Sequence, residues 1–286
     1  MMAAANIPLI SVVVPTYQRN DLLAKCLTPL TPGAQTLSAD RYEVIVTDDC
    51  RTGTAEQMIR DQFPWAKWVE GPHRGPASNR NNGAKHAKGE WIVFVDDDCV
   101  PKPEWLAGYT GAIRKGCEVY EGKTVCEDWI NSPLWEAPVN ETGGALWSCN
   151  MMIARNLFEE LGGFDEGFPF PAMEDMDLCA RIRAAKHPMT FVPDAVVNHP
   201  LRPANIGRKL GRMRESNVYF LAKRGVRAKF WRDLMRPIGV GYLKRIARSR
   251  APLHVPLAVG KVIAELATIA WMYPGWIRKH PPRRLS

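Results

Sequence analysis

Along the first hundred residues, short apolar runs alternate with stretches whose apolar positions recur every three or four residues. Ile10-Ser11-Val12-Val13-Val14 is β-branched and stops at Pro15, the pattern of a buried strand. Asn20 is placed to cap a helix that turns Leu22, Leu23 and Cys26 inward. Val44-Ile45-Val46 reads as a second strand ending at Thr47-Asp48-Asp49, and Thr54 opens a helix through Met58 and Ile59. Trp68-Val69 is a short third strand, a helix spans 77–87, and Trp91-Ile92-Val93-Phe94-Val95 is a fourth strand running into Asp96-Asp97-Asp98. Strand and helix alternating in this way predict βαβ units and a mostly parallel sheet flanked by helices. Such sheets bind ligands beyond the carboxyl ends of their strands, and two of these strands end in acidic clusters.

The second hundred residues are less regular. Residues 125–145 read as loop, 146–154 as a strand, and Asn156 as the start of a short helix closed by Gly162-Gly163. Beyond the stiff loop Phe168-Pro169-Phe170-Pro171, a helix is expected from Glu174 to about Ala185. Its buried stripe is Leu178, Cys179 and Ile182, with Asp175 on the same face, Asp177 and Arg181 paired on the outer face, and Glu174 serving the first turn as a cap. Met189–Val192 and Ala195–Val197 read as two short strands, the second leading to Asn198 and His199. From about 203, helices are expected over 206–223, 229–248 and 256–273.

Charge divides the chain at the same place. The 286 residues carry a formal net charge of +8. Residues 1–200 hold 18 Lys/Arg against 27 Asp/Glu, a net −9; residues 201–286 hold 20 against 3, a net +17. Hydrophobic residues at 46% and charged residues at 24% exclude a disordered chain, a collagen-like fibre and a small disulfide scaffold. The seven cysteines are scattered, with no paired two-residue spacing, which predicts reduced thiols and a cytoplasmic protein. The N-terminal residues show no basic stretch followed by an apolar one, so no secretory signal is expected.

Three adjacent carboxylates at a strand end repel one another, and a divalent cation relieves that repulsion. Asp96-Asp97-Asp98 therefore reads either as a metal–diphosphate site or as a solvated acidic turn. Asp49 can accept a hydrogen bond from a nucleobase N–H or a ribose hydroxyl, or cap the turn before Thr52-Gly53. Arg80 can offer a bidentate fork to a diphosphate, or lie on a solvated helix face. Asp175, turned inward beside such a site, can act as a general base. His199 is a metal-ligand candidate or a structural histidine.

Val12 to Arg19, Val44 to Asp49, Arg80-Asn81-Asn82-Gly83-Ala84, Gly89 to Asp98, Gly162 to Glu166 and Glu174 to Leu178 occur in this order. Together they resemble the family 2 glycosyltransferases, inverting enzymes of the GT-A fold, over roughly residues 9–200. The resemblance implies an α/β catalytic domain over 1–200, with the nucleotide-sugar half in 1–100 and the acceptor half in 101–200. Residues 201–286 then form a basic helical extension. It implies that Pro15, Thr16, Tyr17 and Arg19 line the nucleotide pocket, that Asp49 contacts the base, and that Arg80, Asp96 and Asp97 lie at the nucleotide, ribose or diphosphate. Asp98 would hold Mn²⁺ or Mg²⁺ with His199, and Asp175 would be the catalytic base. The implied donor is a nucleotide-diphosphate sugar, a UDP-sugar first among them, and the acceptor a glycan or lipid-linked hydroxyl in cell-envelope or exopolysaccharide synthesis. Two departures stand out: Asp49-Cys50-Arg51 replaces the Asp-Gly-Ser of many relatives, and Cys99 follows the acidic triplet.

The alternatives are a sugar-phosphate nucleotidyltransferase and a non-catalytic nucleotide-binding protein with a nucleic-acid-binding tail. The first wants a glycine-rich loop where Pro15-Thr16-Tyr17-Gln18-Arg19 stands, and no nucleic-acid motif is present, so no nucleic-acid partner is expected. For the tail, an interfacial helix at the cytoplasmic face of a membrane is favoured over a cap on the catalytic domain. Trp271, Tyr273 and Trp276 suit the headgroup zone. Lys261 and Glu265 interrupt every apolar run of 18, so no spanning helix is expected.

Overall fold

The computed structural model describes residues 10–283. The elements in chain order are β1 (Ile10–Thr16), α1 (Asn20–Leu27), β2 (Tyr42–Asp48), α2 (Glu56–Gln62), β3 (Lys67–Glu70), α3 (Pro76–Lys85) and β4 (Trp91–Val95). They continue with β5 (Val100–Pro101), α4 (Trp105–Ala112), β6 (Val119–Val125), β7 (Trp135–Glu136), β8 (Asn150–Ala154), α5 (Arg155–Glu160), α6 (Glu174–Ala184) and β9 (Met189–Asn198). Last come β10 (Arg202–Pro203), α7 (Arg208–Met213), α8 (Glu215–Lys223), α9 (Arg236–Ala247) and α10 (Val255–Lys279).

The chain forms two compact units. Among the described residues, the first takes those up to Glu127, Pro138–Glu166 and Glu174–Pro200; the second takes Asp128–Ala137, Gly167–Met173 and those from Leu201 onward. The first unit is a mixed α/β sheet of eight strands in the order β3-β2-β1-β4-β8-β6-β9-β5. β3, β2, β1 and β4 run parallel, as do β6 and β9, whereas β8 is antiparallel to both its neighbours and β5 to β9. Strand alternation sends Val12, Val14, Val93 and Val95 to one face, against Leu23 and Leu27 of α1 and Trp105 of α4. Val13, Ile92 and Phe94 go to the other, against Phe158 of α5 and Leu178 and Ile182 of α6. Gly83 lets α3 lie close on this face; a Cβ there would collide with Val13 Cγ1.

The alternating first hundred residues fold as their pattern predicts, with small shifts: Arg19 occupies the cap position of α1 and Asn20 is the first helical residue. The second hundred differ more. α4 and β6 arise in segments without a clear repeat, and Asn150 explains their placement. Its Oδ1 accepts from Trp105 Nε1 (2.8 Å) and Tyr109 Oη (2.7 Å), and its Nδ2 donates to Lys123 O (3.0 Å) and Ala195 O (3.1 Å). The two short strands expected at 189–197 are one strand. β9 shifts register against β6 between Gly122 and Lys123, which sets Pro193, Asp194 and Ala195 outside the ladder.

In the second unit β7 and β10 pair antiparallel, and four helices enclose Val218, Leu234, Ile238, Val262, Ile269 and Trp276. The expected helix over 206–223 breaks at Arg214 into α7 and α8, and α9 is preceded by a π-helical turn, Phe230–Met235. α10 with its preceding turn, Pro252–Lys279, is long and apolar enough to cross a membrane by length and composition, contrary to the expectation from its charges. Of the two charges that interrupt the run, Lys261 is half-buried and Glu265 is folded away. Glu265 is fully buried, accepts from Arg214 Nη2 at 2.9 Å, and takes the Tyr242 hydroxyl at 3.1 Å.

Candidate active site

Three parallel strand ends and one distant strand end build the site. β1 delivers Thr16, β2 delivers Asp48 and Asp49, and β4 delivers Asp96-Asp97-Asp98. β9 delivers His199 through its antiparallel pairing with β5, in which Val100 lies opposite Asn198. That register sets the residues just before β5 beside those just after β9, and His199 Nε2 stands 3.5 Å from Asp98 Oδ1.

The three carboxylates have different partners. Asp96 is bound by Arg80 Nη2 at 2.7 Å; burial pushes its carboxyl up, but Arg80, with His199 and Arg19, outweighs burial and holds it below the ordinary range. Asp97 is fully buried, accepts from Thr16 Oγ1 at 2.7 Å and meets Arg19 Nη2 at 2.6 Å. Its desolvation prevails over Arg19 and pushes it up to about 7. Asp98 takes Arg19 Nη1 at 3.0 Å. Arg19 thus clamps two of the three carboxylates while remaining 44% exposed, so it can turn toward a ligand. A hollow of about 550 Å³ opens beside it, lined by Gln18, Arg19, Asn20, Thr52 and Gly53, within the usual size of a small-molecule site.

Pro15 and Thr16 are buried in β1, and Tyr17 stands out at 55% exposure. Asp49 binds the N–H of His73 (2.6 Å) and of Gly75 (2.7 Å), so it holds the loop before α3 against the end of β2. Arg80 is placed differently from a free phosphate fork. It is buried behind Asp96, with Nη1 on Glu174 Oε1 at 3.1 Å and its guanidinium over the Phe164 ring. Asp175 follows Glu174 in the first turn of α6, half-buried. Burial and the Glu174 charge push it up to about 6.

The expected stripe of α6, Leu178, Cys179 and Ile182, is buried, but the acids on it differ: Asp175 is only half-buried. The buried residues of α6 include Glu174, Leu178 and Ile182, spaced by four, and Asp177 joins them at 1% exposure. The Asp177–Arg181 pair (2.9 Å) forms as expected but points inward, and Arg181 also donates to Gly163 O at 2.7 Å. Glu174 is a buried ion-pair partner rather than a solvated cap. Burial in both cases follows from the Arg80 and Arg181 guanidinia that receive the carboxylates. Sequence reasoning assigned no role to Asn79, or to Asn81 beyond its place in the Arg80–Ala84 run. Asn79 Nδ2 donates to Thr47 O at 2.8 Å, and Asn81 grips the Phe164 backbone through both N–H and C=O (2.9 and 2.8 Å). Their signal was the polar run Asn79-Arg80-Asn81-Asn82 inside a helix that packs on the sheet.

The sequence model described as Glycosyl transferase family 2 matches residues 11–162, the segment that carries all three parallel strand ends and the acidic triplet. The chain belongs to glycosyl transferase family 2. It is 28% identical over 221 residues to glycosyltransferase AglE of Haloferax volcanii, covering 70% of this chain and 69% of that one. A validoxylamine A glucosyltransferase of Streptomyces hygroscopicus subsp. limoneus is 28% identical over 232 residues, 66% of this chain and about half (51%) of its own length. The fold is that of the GT-A mannosyltransferase PcManGT from Pyrobaculum calidifontis, solved in complex with GDP-Man and Mn²⁺. The two align at a TM-score of 0.56 and 21% identity, over 94% of this chain and 79% of that one.

The residues at the acidic edge suit a divalent ion. Donor atoms of Asp98, Cys99 and His199 lie within 4.8 Å of one another. His199 Nδ1 lies 2.9 Å from Pro200 O, the contact that orients a ligating imidazole with Nε2 toward the ion, here toward Asp98. A hydrogen bond with Cys149 and burial push the Cys99 thiol well above its usual range, so it is a neutral thiol. The effective donors are then carboxylate oxygen and imidazole nitrogen, a set that suits Mn²⁺ or Mg²⁺ better than a thiolate-seeking metal.

Proposed function

We propose that this glycosyltransferase is an inverting, metal-assisted hexosyltransferase using a nucleotide-diphosphate sugar, with Asp175 as the base. The observation that carries this reading is Arg80 joining Asp96 to Glu174: it ties the acidic strand end to the first turn of α6, where Asp175 stands. Asp98 and His199 are the residues that would hold Mn²⁺ or Mg²⁺. The ion, when bound, supplies counter-charge to the diphosphate leaving group. Asp97 and Thr16 form a bonded pair at the ribose end of the pocket, and Pro15, Tyr17 and Asp49 frame the base. Arg19, already beside Asp97 and Asp98, pairs with the diphosphate oxygens. Asp175 accepts the proton of the acceptor hydroxyl as that oxygen attacks the anomeric carbon from the face opposite the diphosphate. General-base catalysis of this kind contributes about 10²–10⁴-fold. Its raised pKa matches a base that works near neutral pH.

The donor base is read as uracil, with guanine the alternative raised by the GDP-mannose enzyme of the same fold. The acceptor is read as a glycan or lipid-linked glycan of the cell envelope or an exopolysaccharide, at the cytoplasmic face of a membrane. Isothermal titration of UDP, GDP and their sugars with Mn²⁺ or Mg²⁺ tests the donor site; product NMR tests inversion. Absence of heat for every nucleoside diphosphate in the presence of either ion overturns the reading.

A further inference from the structure

We propose that the outer face of α10 lies in the plane of an anionic bilayer as a half-embedded helix, holding the second unit on the membrane without crossing it. The inference concerns this unit alone and stands whether or not the donor and base assignments above hold.

The polarity of α10 is inverted. From Pro256 to Gly275 every exposed position is apolar, among them Leu257, Val259, Ile263, Ala267 and Trp271, and the one cation of the span, Lys261, is half-buried. Leu257 is 56% exposed, Ile263 62% and Trp271 87%, and Leu253 in the preceding turn is 90% exposed. Glu265 meanwhile points inward to Arg214 and Tyr242. A helix of a water-surrounded unit shows the opposite arrangement. A continuous apolar face of this extent needs an apolar partner.

Charge identifies that partner. From residue 201 onward 20 Lys/Arg face 3 Asp/Glu, and each acid is bound by a cation within the unit: Glu215 by Lys279 and His280, Asp233 by Arg232, Glu265 by Arg214. Basic residues also bracket the helix, with Lys244, Arg248 and Arg250 before it and Arg278, Lys279 and Arg283 after it. A second copy would bring the same positive charge against this one. A nucleic acid would meet the charge and leave the apolar face in water. A bilayer with anionic headgroups satisfies both.

The packing decides between lying in the membrane and crossing it. The inner face of α10 carries the Glu265–Arg214 pair, and Gly211 of α7 sits directly against it, where a Cβ would be 2.9 Å from Thr268 Cβ. α7 presents Arg208, Lys209 and Arg212 to the outside. A crossing helix would carry these charges into hydrocarbon, where they are strongly disfavoured. With the helix axis parallel to the surface, they remain in water while Leu257, Ile263 and Trp271 enter the acyl boundary.

Flotation of the full chain with vesicles tests this, using neutral phosphatidylcholine alone and with added phosphatidylglycerol, followed by carbonate extraction. The expected result is flotation with the anionic vesicles, weaker flotation at high salt, and release by carbonate. Trp271→Glu and the double variant Leu257→Glu/Ile263→Glu, both at exposed positions, should lower the bound fraction by more than about tenfold with unchanged circular dichroism. Retention after carbonate would show a spanning helix and overturn the in-plane placement. Failure to float on anionic vesicles, or a concentration-dependent dimer in sedimentation that Trp271→Glu dissolves without any vesicle binding, would overturn the proposal.

Discussion

Arg80 and Glu174, 94 positions apart, form a buried ion pair of 3.1 Å. The same guanidinium holds Asp96 at 2.7 Å, so one side chain fixes the spacing between the acidic strand end and the helix that carries Asp175. Removing Arg80 leaves the buried Glu174 carboxylate uncompensated, whereas removing Glu174 leaves Arg80 still paired with Asp96. We expect Arg80→Met to lower stability by about 3 kcal/mol or more, measured by denaturant unfolding, and to lower transfer as well.

Glu174→Gln gives a finer test. Glu174 is the second cause, after burial, of the raised Asp175 pKa. With its charge removed, Asp175 should ionise at lower pH. The acid limb of the rate profile should shift downward while donor affinity, measured by calorimetry, stays near wild type.

For the wild-type enzyme the proton-accepting form of Asp175 is the carboxylate. The transfer rate should therefore fall as pH drops through about 6 and plateau above it. A profile flat from pH 5 to 8, with donor saturating, would remove Asp175 from the base role.

Asp175→Asn should abolish transfer, by about 10²–10⁴-fold or more, and leave nucleotide binding largely intact. It should also stabilise the fold. The folded pKa of about 6 lies above the model-compound value of 3.8, so ionisation costs stability in full above pH 6, and the cost disappears as pH falls below 3.8. At pH 8 the neutral amide is relieved of that cost, up to about 3 kcal/mol, read as a higher melting temperature.

His199→Ala and Asp98→Asn should each weaken Mn²⁺ binding, followed by electron paramagnetic resonance of the free ion rather than by activity. Loss of a first ligand or of its orientation typically lowers affinity by about 10-fold or more. Unchanged Mn²⁺ titration in both variants would place the ion elsewhere.

Much of the first unit was legible because burial on both faces of a parallel sheet favours short, mostly apolar runs rich in β-branched residues. Ile10–Val14, Val44–Val46 and Trp91–Val95 are such runs, and each leads to a residue of the site. α4 and β6 were not legible. Their burial rests on Asn150 receiving Trp105 and Tyr109 from another segment, a demand no local periodicity expresses. The inward turn of Glu174 and Asp177 was missed for the same reason: a carboxylate is read as solvated until its guanidinium partner is known. Of the aromatic trio proposed for the headgroup zone, Trp271 faces outward, whereas Trp276 is 3% exposed and Tyr273 donates to Ala228 O at 2.6 Å.

The amino-acid order by itself determined where strands begin and stop, the placing of acids at their carboxyl ends, and the break in charge near residue 200. These are matters of nearest neighbours along the chain, where side-chain alternation and charge repulsion act directly. Only the tertiary structure decided that His199 meets Asp98, that Arg80 serves Asp96 and Glu174, and that α10 turns its one acid inward and its apolar side out. Each depends on strand pairing or helix rotation across many tens of residues, set by the packing of the whole unit rather than by any short stretch of it.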